Sequence, residues 1–195
     1  MKQERNLFLY GILFFLISCL VSFHWMDWLD QGMNQWIEKL RNPTFTCFMK
    51  WVTHGGETII LLALSFFITL FHPKQGKHLF FRIFVVLLVN QWLKGLFHRP
   101  RPTWRIMEVS GYSFPSGHTM NAVMFYGSLL SFFCRKEGKR NHKGMRLWLL
   151  LMIVLVLFSR IYLGVHYVSD VLGGIFASLF LLTVMEMFRK RKEPM

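Results

Sequence analysis

The stretch "LWLLLMIVLVLFSRIYLGVHYVSDVLGGIFASLFLLTVMEMF", Leu147 to Phe188, decides the fold. It holds two apolar runs, Leu147–Leu163 and Val168–Phe188, parted by a short polar break. Each run is near the roughly 20 residues that a helix needs to cross a hydrocarbon core. The break carries Arg160, His166 and Asp170. His166 and Asp170 are four residues apart and share one face of a helix. Charged groups this close to a bilayer are costly and usually functional. A carboxylate so placed can hold one imidazole nitrogen and free the other. Gly164 allows the chain to turn between Arg160 and His166.

The same pattern extends outward through the chain. Of 195 residues, 53% are hydrophobic and 21 are Phe. A soluble domain could not bury that much apolar surface. Further candidate spans are Leu7–Phe23, about Glu57–Phe71, Leu79–Phe97 and Thr119–Cys134, which makes six in all. Some runs are short, so their helices should extend beyond them. Gly55, Gly56 and Glu57 make the second span the weakest pattern, with Glu57 read as its cap. The first is expected to be an uncleaved span, because no small-residue cleavage site precedes a polar mature region. The expected fold class is all-α: a single domain, 1–195, forming a polytopic helical bundle.

Between the first two spans, Trp25, Leu29, Met33, Trp36 and Leu40 recur at steps of three or four. Asp27, Asp30, Gln31, Asn34, Glu38 and Lys39 fill the other face. This predicts an interfacial amphipathic helix anchored by Trp and ended by Asn42-Pro43.

The net charge is +13. The basic residues flank apolar spans, which argues against nucleic acid and for a topology signal. The N-terminus, "HPKQGKH", "RKEGKRNHKGMR" and the tail carry the larger share of Lys and Arg. That side should be cytoplasmic, with both termini inside. The three cysteines form no disulfide framework, and Cys19 and Cys134 read as packing residues.

The basic residues on the other side cluster beside histidines. "NQWLKGLFHRPRPTWR" supplies Lys94 and Arg101, with Arg99 and Arg105 nearby. "GYSFPSGHTMNA" places Ser116 as a helix N-cap with Gly117 and His118 opening the helix. Free N–H groups there can bind an anion, and Gly117 allows close approach. A bound anion favours protonated His118, and hence a general acid. Because successive spans alternate in direction, all three groups meet at the outer face. Guanidinium and ammonium groups around one cavity favour an anion over a divalent metal. His166 fits a nucleophile, Asp170 its orienter and His118 a leaving-group acid. Asn90 and Gln91 read as interhelical bonds. Arg99 and Arg105 read equally well as site cations or peripheral head-group contacts.

Three motifs, K-x6-RP at Lys94–Pro102, PSGH at Pro115–His118 and SR-x5-H-x3-D at Ser159–Asp170, resemble the type 2 phosphatidic acid phosphatase superfamily. The resemblance implies a phosphohistidine on His166 and proton donation by His118. It implies phosphate contacts from Lys94, Arg101, Ser116, Gly117 and Arg160, with no metal or other cofactor. A small six-span chain resembles the bacterial members that hydrolyse phosphatidylglycerophosphate, often together with undecaprenyl pyrophosphate. The expected partners are a lipid phosphate and the bilayer, with no obligate protein partner. Two other readings stand beside this one. Undecaprenyl pyrophosphate could be the main substrate, or the chain could bind lipid phosphate without turnover. A haloperoxidase with the same site is disfavoured, since those enzymes are soluble.

Overall fold

The structure, a computed structural model, describes residues 2–135 and 143–192. The side chain of Cys134 and the basic residues 136–142 fall outside the described set. Eight α-helices are described: α1 (Lys2–Ser22), α2 (Asp27–Leu40), α3 (Pro43–Thr53), α4 (Thr58–Phe71), α5 (Pro73–Phe97), α6 (Gly117–Arg135), α7 (Lys143–Tyr162) and α8 (Val168–Lys192). A single 3-10 turn, His54–Gly56, joins α3 to α4. The described residues contain no strand.

By length and composition α1, α5, α7 and α8 can each cross a membrane. The α3–α4 pair, bent by 55°, makes a fifth if it is counted as one span. The expected Thr119–Cys134 span lies within α6, which is walled in by α5, α7 and α8. Protein neighbours let α6 carry Asn121 and Ser128 at no cost in exposed polarity. Lipid-facing positions elsewhere are large and apolar, including Phe8, Phe15, Trp51, Ile59 and Leu147. The interior core runs through Leu61, Ile83, Val86, Met120, Met124 and Val156.

Several local rules account for the helix boundaries. Asn42 Oδ1 accepts from Phe45 N at 2.9 Å, and Pro43 opens α3. A side-chain cap of this kind stabilises a helix start by about 1 kcal/mol. α3 itself is absent from the apolar-run reading, because "PTFTCFMKWVT" is too short and mixed to stand out. "HPKQGKH" is not the expected loop: α5 begins at Pro73, with His72 alone between it and the end of α4. Pro suits the first helical turn. Gly76 lets the two helices touch, since a Cβ there would lie 2.5 Å from the Thr69 Cα. The expected extension of helices beyond their apolar runs is thus seen in α5.

Helix α2 is amphipathic, with Trp28 75% and Trp36 53% exposed. Asp30 departs from the expected polar face. It is 3% exposed and turned inward, because Arg99 and Ser169 give its carboxylate partners inside the protein. At the opposite end of the bundle Arg82 pairs with Glu186 at 2.6 Å and donates to Ser128 at 2.7 Å. This buried pair was not foreseen from the span pattern.

Candidate active site

Of the eight expected site residues, Lys94, Arg101, His118, Arg160 and His166 line one cavity of about 410 Å³ with their side chains. Gly117 lines it too. Lys94 comes from the last turn of α5, and His118 from the first turn of α6. Arg160 comes from the last turn of α7, and His166 from the α7–α8 connection. Gly164 makes that connection possible with φ +67°, the left-handed region that glycine adopts freely. The long segment 98–116 is held by its backbone: Ser113 N donates to Arg99 O at 2.8 Å, and Ile106 N to Leu163 O at 3.0 Å.

His166 is buried, and its Nδ1 lies 3.3 Å from Asp170 Oδ2. A carboxylate only accepts, so Nδ1 carries the proton and Nε2 keeps its lone pair. Nε2 faces the cavity with Arg101 Nη1 at 3.3 Å. Burial pushes the His166 pKa down to about 3, while the hydrogen bond and charge of Asp170 act in the opposite direction. The imidazole is therefore neutral at physiological pH.

Asp170 stands behind His166, fully enclosed. Its Oδ2 accepts from Tyr167 N at 2.9 Å and from Ser113 Oγ. Its Oδ1 accepts from Arg99 Nη1 at 2.6 Å. Arg99 is thus neither a cavity cation nor a peripheral head-group contact; it grips the carboxylate that grips His166. Burial acts to lower the Arg99 pKa, but Asp170 and Asp30 more than reverse this and raise it. Burial also lowers the Arg101 pKa, against the attraction of Asp170.

Arg101 donates to three backbone carbonyls, Gly111, Val165 and Ser110, each at 2.9 Å. The planar fork explains why this position needs Arg and not Lys. Arg160 is buried and donates from Nη1 to Thr53 Oγ1, while its Nε has no partner among the described residues. Ser116 sits one layer back. Its N–H donates to Asp170 O at 3.1 Å, and its Oγ accepts from Thr119 Oγ1 at 3.0 Å. Asn90 donates to Met120 Sδ on α6 at 3.2 Å, the interhelical bond expected of it, and to Pro115 O at 3.0 Å, and it lines the cavity with Gln91. Arg105 stays local, donating to Pro102 O at 3.0 Å. Glu57 occupies the N-cap position of α4 but makes no side-chain cap; it lies 2.8 Å from His54 Nδ1 instead.

Sequence reasoning missed Asp30, Ser113, Ser169 and Thr53. None lies in a recognisable spacing, and Asp30 sits among polar residues that do face out. Among the described residues, no three His, Cys, Asp or Glu are grouped to hold a metal ion.

Residues 75–193 match the PAP2 superfamily. The chain belongs to that superfamily. Phosphatidylglycerophosphatase B of Bacillus subtilis is 30% identical over 98% of this chain and 97% of its own. YbjG of Escherichia coli, a candidate undecaprenyl-diphosphatase, is 32% identical over 53% of each chain. Among solved structures, a transmembrane PAP2-type phosphatidylglycerolphosphate phosphatase from Bacillus subtilis superposes with a TM-score of 0.87. That match has 29% identity and covers 100% of this chain and 99% of the other. This PAP2 chain is a multi-pass membrane protein and a lipid phosphatase.

Proposed function

We propose that the protein hydrolyses phosphatidylglycerophosphate to phosphatidylglycerol, and also undecaprenyl pyrophosphate, through a phosphohistidine at the outer face of the cytoplasmic membrane. The observation that carries the reading is the pairing of His166 Nδ1 with Asp170 at 3.3 Å, which leaves Nε2 in a cavity walled by Lys94, Arg101 and Arg160.

In this mechanism Nε2 attacks phosphorus, and the bond to the lipid or phosphate leaving oxygen breaks. His118 gives its proton to that oxygen. Lys94, Arg101, Arg160 and the α6 start at Ser116–Gly117 hold the phosphate oxygens as charge shifts among them. Asp170 stabilises the positive imidazole ring of the intermediate. Water then attacks phosphorus, His118 takes the water proton, and phosphate leaves as the N–P bond breaks. The lipid tail stays in the bilayer throughout. In this reading α6 and the bent α3–α4 pair are counted as spans, so that six spans leave both termini on one side, and the placement of Lys and Arg favours the cytoplasm for that side.

The test is phosphate release in detergent from phosphatidylglycerophosphate, undecaprenyl pyrophosphate, phosphatidic acid and diacylglycerol pyrophosphate, assayed side by side. Wild type should turn over the first two best, and His166→Ala none. Substantial turnover by His166→Ala removes His166 as nucleophile. Faster turnover of undecaprenyl pyrophosphate than of phosphatidylglycerophosphate favours the second reading, that this chain mainly recycles the cell-wall lipid carrier, which the likeness to the candidate undecaprenyl-diphosphatase YbjG supports. Binding without release on all four lipids would leave a non-catalytic binder.

A further inference from the structure

Asp30 lies on interfacial helix α2, far in sequence from every motif, yet its carboxylate is 1% exposed. It accepts from Ser169 N at 3.0 Å, from Ser169 Oγ at 2.6 Å and from Arg99 Nη2 at 2.9 Å. The same guanidinium donates from Nη1 to Asp170 Oδ1 at 2.6 Å and to Ser169 Oγ at 2.7 Å. Its plane also packs on the Tyr167 ring, with Cζ 4.1 Å from the centroid. Neither Asp30 nor Arg99 lines the cavity.

A buried cation placed between two buried carboxylates has a definite electrostatic effect. Arg99 alone would cancel the charge of Asp170 and weaken its hold on a positively charged ring at His166. With Asp30 on its other side, the group of three keeps a net negative charge facing His166. A buried carboxylate lacking its cation would carry a cost of several kcal/mol, so neither partner can be dispensed with. The geometry adds direction. Arg99 occupies Oδ1, so Oδ2 is the oxygen left for His166 Nδ1, Ser113 and Tyr167 N.

We infer that Asp30, acting through Arg99, is a positioning residue for the reaction: it orients the Asp170 carboxylate and preserves its negative charge toward His166. The inference rests on His166 being the nucleophile. It also ties the amphipathic helix α2 directly to the reacting groups.

The experiment uses the full-length chain, purified in detergent as its folded fraction, with Asp30→Asn, Arg99→Lys, the double variant, and wild type and His166→Ala as controls. Asp30→Asn should lower kcat about tenfold or more, the effect of losing one charge-assisted link to the orienting group. KM and the inhibition constant of inorganic phosphate, a ground-state ligand of the cavity, should stay within about threefold, because neither residue touches substrate. The double variant should be no worse than Arg99→Lys, since Asp30→Asn keeps an amide oxygen for Ser169 N and the charge of Asp30 reaches Asp170 through Arg99. A merely structural role would lower the folded yield and leave the turnover of folded protein unchanged. The inference is overturned by Asp30→Asn turnover within about threefold of wild type, by kcat and inorganic-phosphate affinity falling together, or by additive losses in the double variant. Turnover by His166→Ala, or none by wild type, overturns the nucleophile assignment and this inference with it. An unaffected Asp30→Asn overturns this inference alone.

Discussion

Arg101 Nη1 lies 3.3 Å from His166 Nε2, so a cation bound to the backbone borders the atom that would attack phosphorus. The contact is neutral-to-cation in the free site and becomes cation-to-phosphate once substrate enters. Arg101→Lys keeps the charge but loses the fork that spans three carbonyls. Charge-assisted bonds are worth about 1.5–3 kcal/mol each, so kcat/KM should fall roughly tenfold to hundredfold. Phosphate-release kinetics at varied lipid concentration check this, and KM should carry part of the loss.

Asp170→Asn retains the size of the side chain but replaces a carboxylate that accepts from four groups. The amide can present an N–H to His166 and favour the wrong tautomer. In a Ser-His-Asp triad the equivalent change costs about 10⁴ in kcat, and a loss on the order of 10³ or more is expected here. Inhibition by inorganic phosphate, a ground-state ligand, should be little altered, which separates this effect from loss of the cavity.

Acid should destabilise the fold through His166. Its folded-state pKa is about 3, below its ordinary value of 6.5. Below about pH 6.5 the unfolded chain binds a proton that the folded site refuses, so stability falls as pH drops toward 3. His166→Gln removes this penalty. The melting temperature of wild type minus that of His166→Gln should therefore shrink as pH is lowered from 7 to 4 in thermal unfolding series.

Gly56→Ala tests the 3-10 turn that backs the site. Its Cβ would lie 2.7 Å from Val156 Cγ1 and 3.0 Å from both the Cβ and the carbonyl oxygen of His118. Overpacking of this kind costs about 1–3 kcal/mol. Both the melting temperature and kcat should drop, because the displaced atoms belong to the residue proposed as acid. An unchanged kcat would separate the turn from His118.

The outward orientation can be read from thiol labelling. In a Cys47→Ser background, Thr103→Cys should react with a membrane-impermeant maleimide on intact cells, and Lys74→Cys only after lysis. The reverse pattern inverts the proposed topology.

Much of this was legible in the chain itself. Apolar runs near bilayer length and the placement of Lys and Arg announce a helical membrane protein. Lys94, Arg101, His118, Arg160 and His166 were found by spacing, and the structure places all five on one cavity. Span counting was less reliable. A helix buried in protein, such as α6, need not be apolar, and a bent pair such as α3–α4 does not read as one run.

What the sequence by itself determined is local: which segments are helical, where they start, and which residue types stand at their ends. Those depend on nearest neighbours and on the bilayer as solvent. Only the tertiary structure decided that Asp30, on an amphipathic helix, turns inward, that Arg99 bridges it to Asp170, and that Ser116 stands behind Gly117. A charged side chain goes where its partners are. The partners of Asp30 lie 69 and 139 residues away, beyond the reach of any periodicity along the chain.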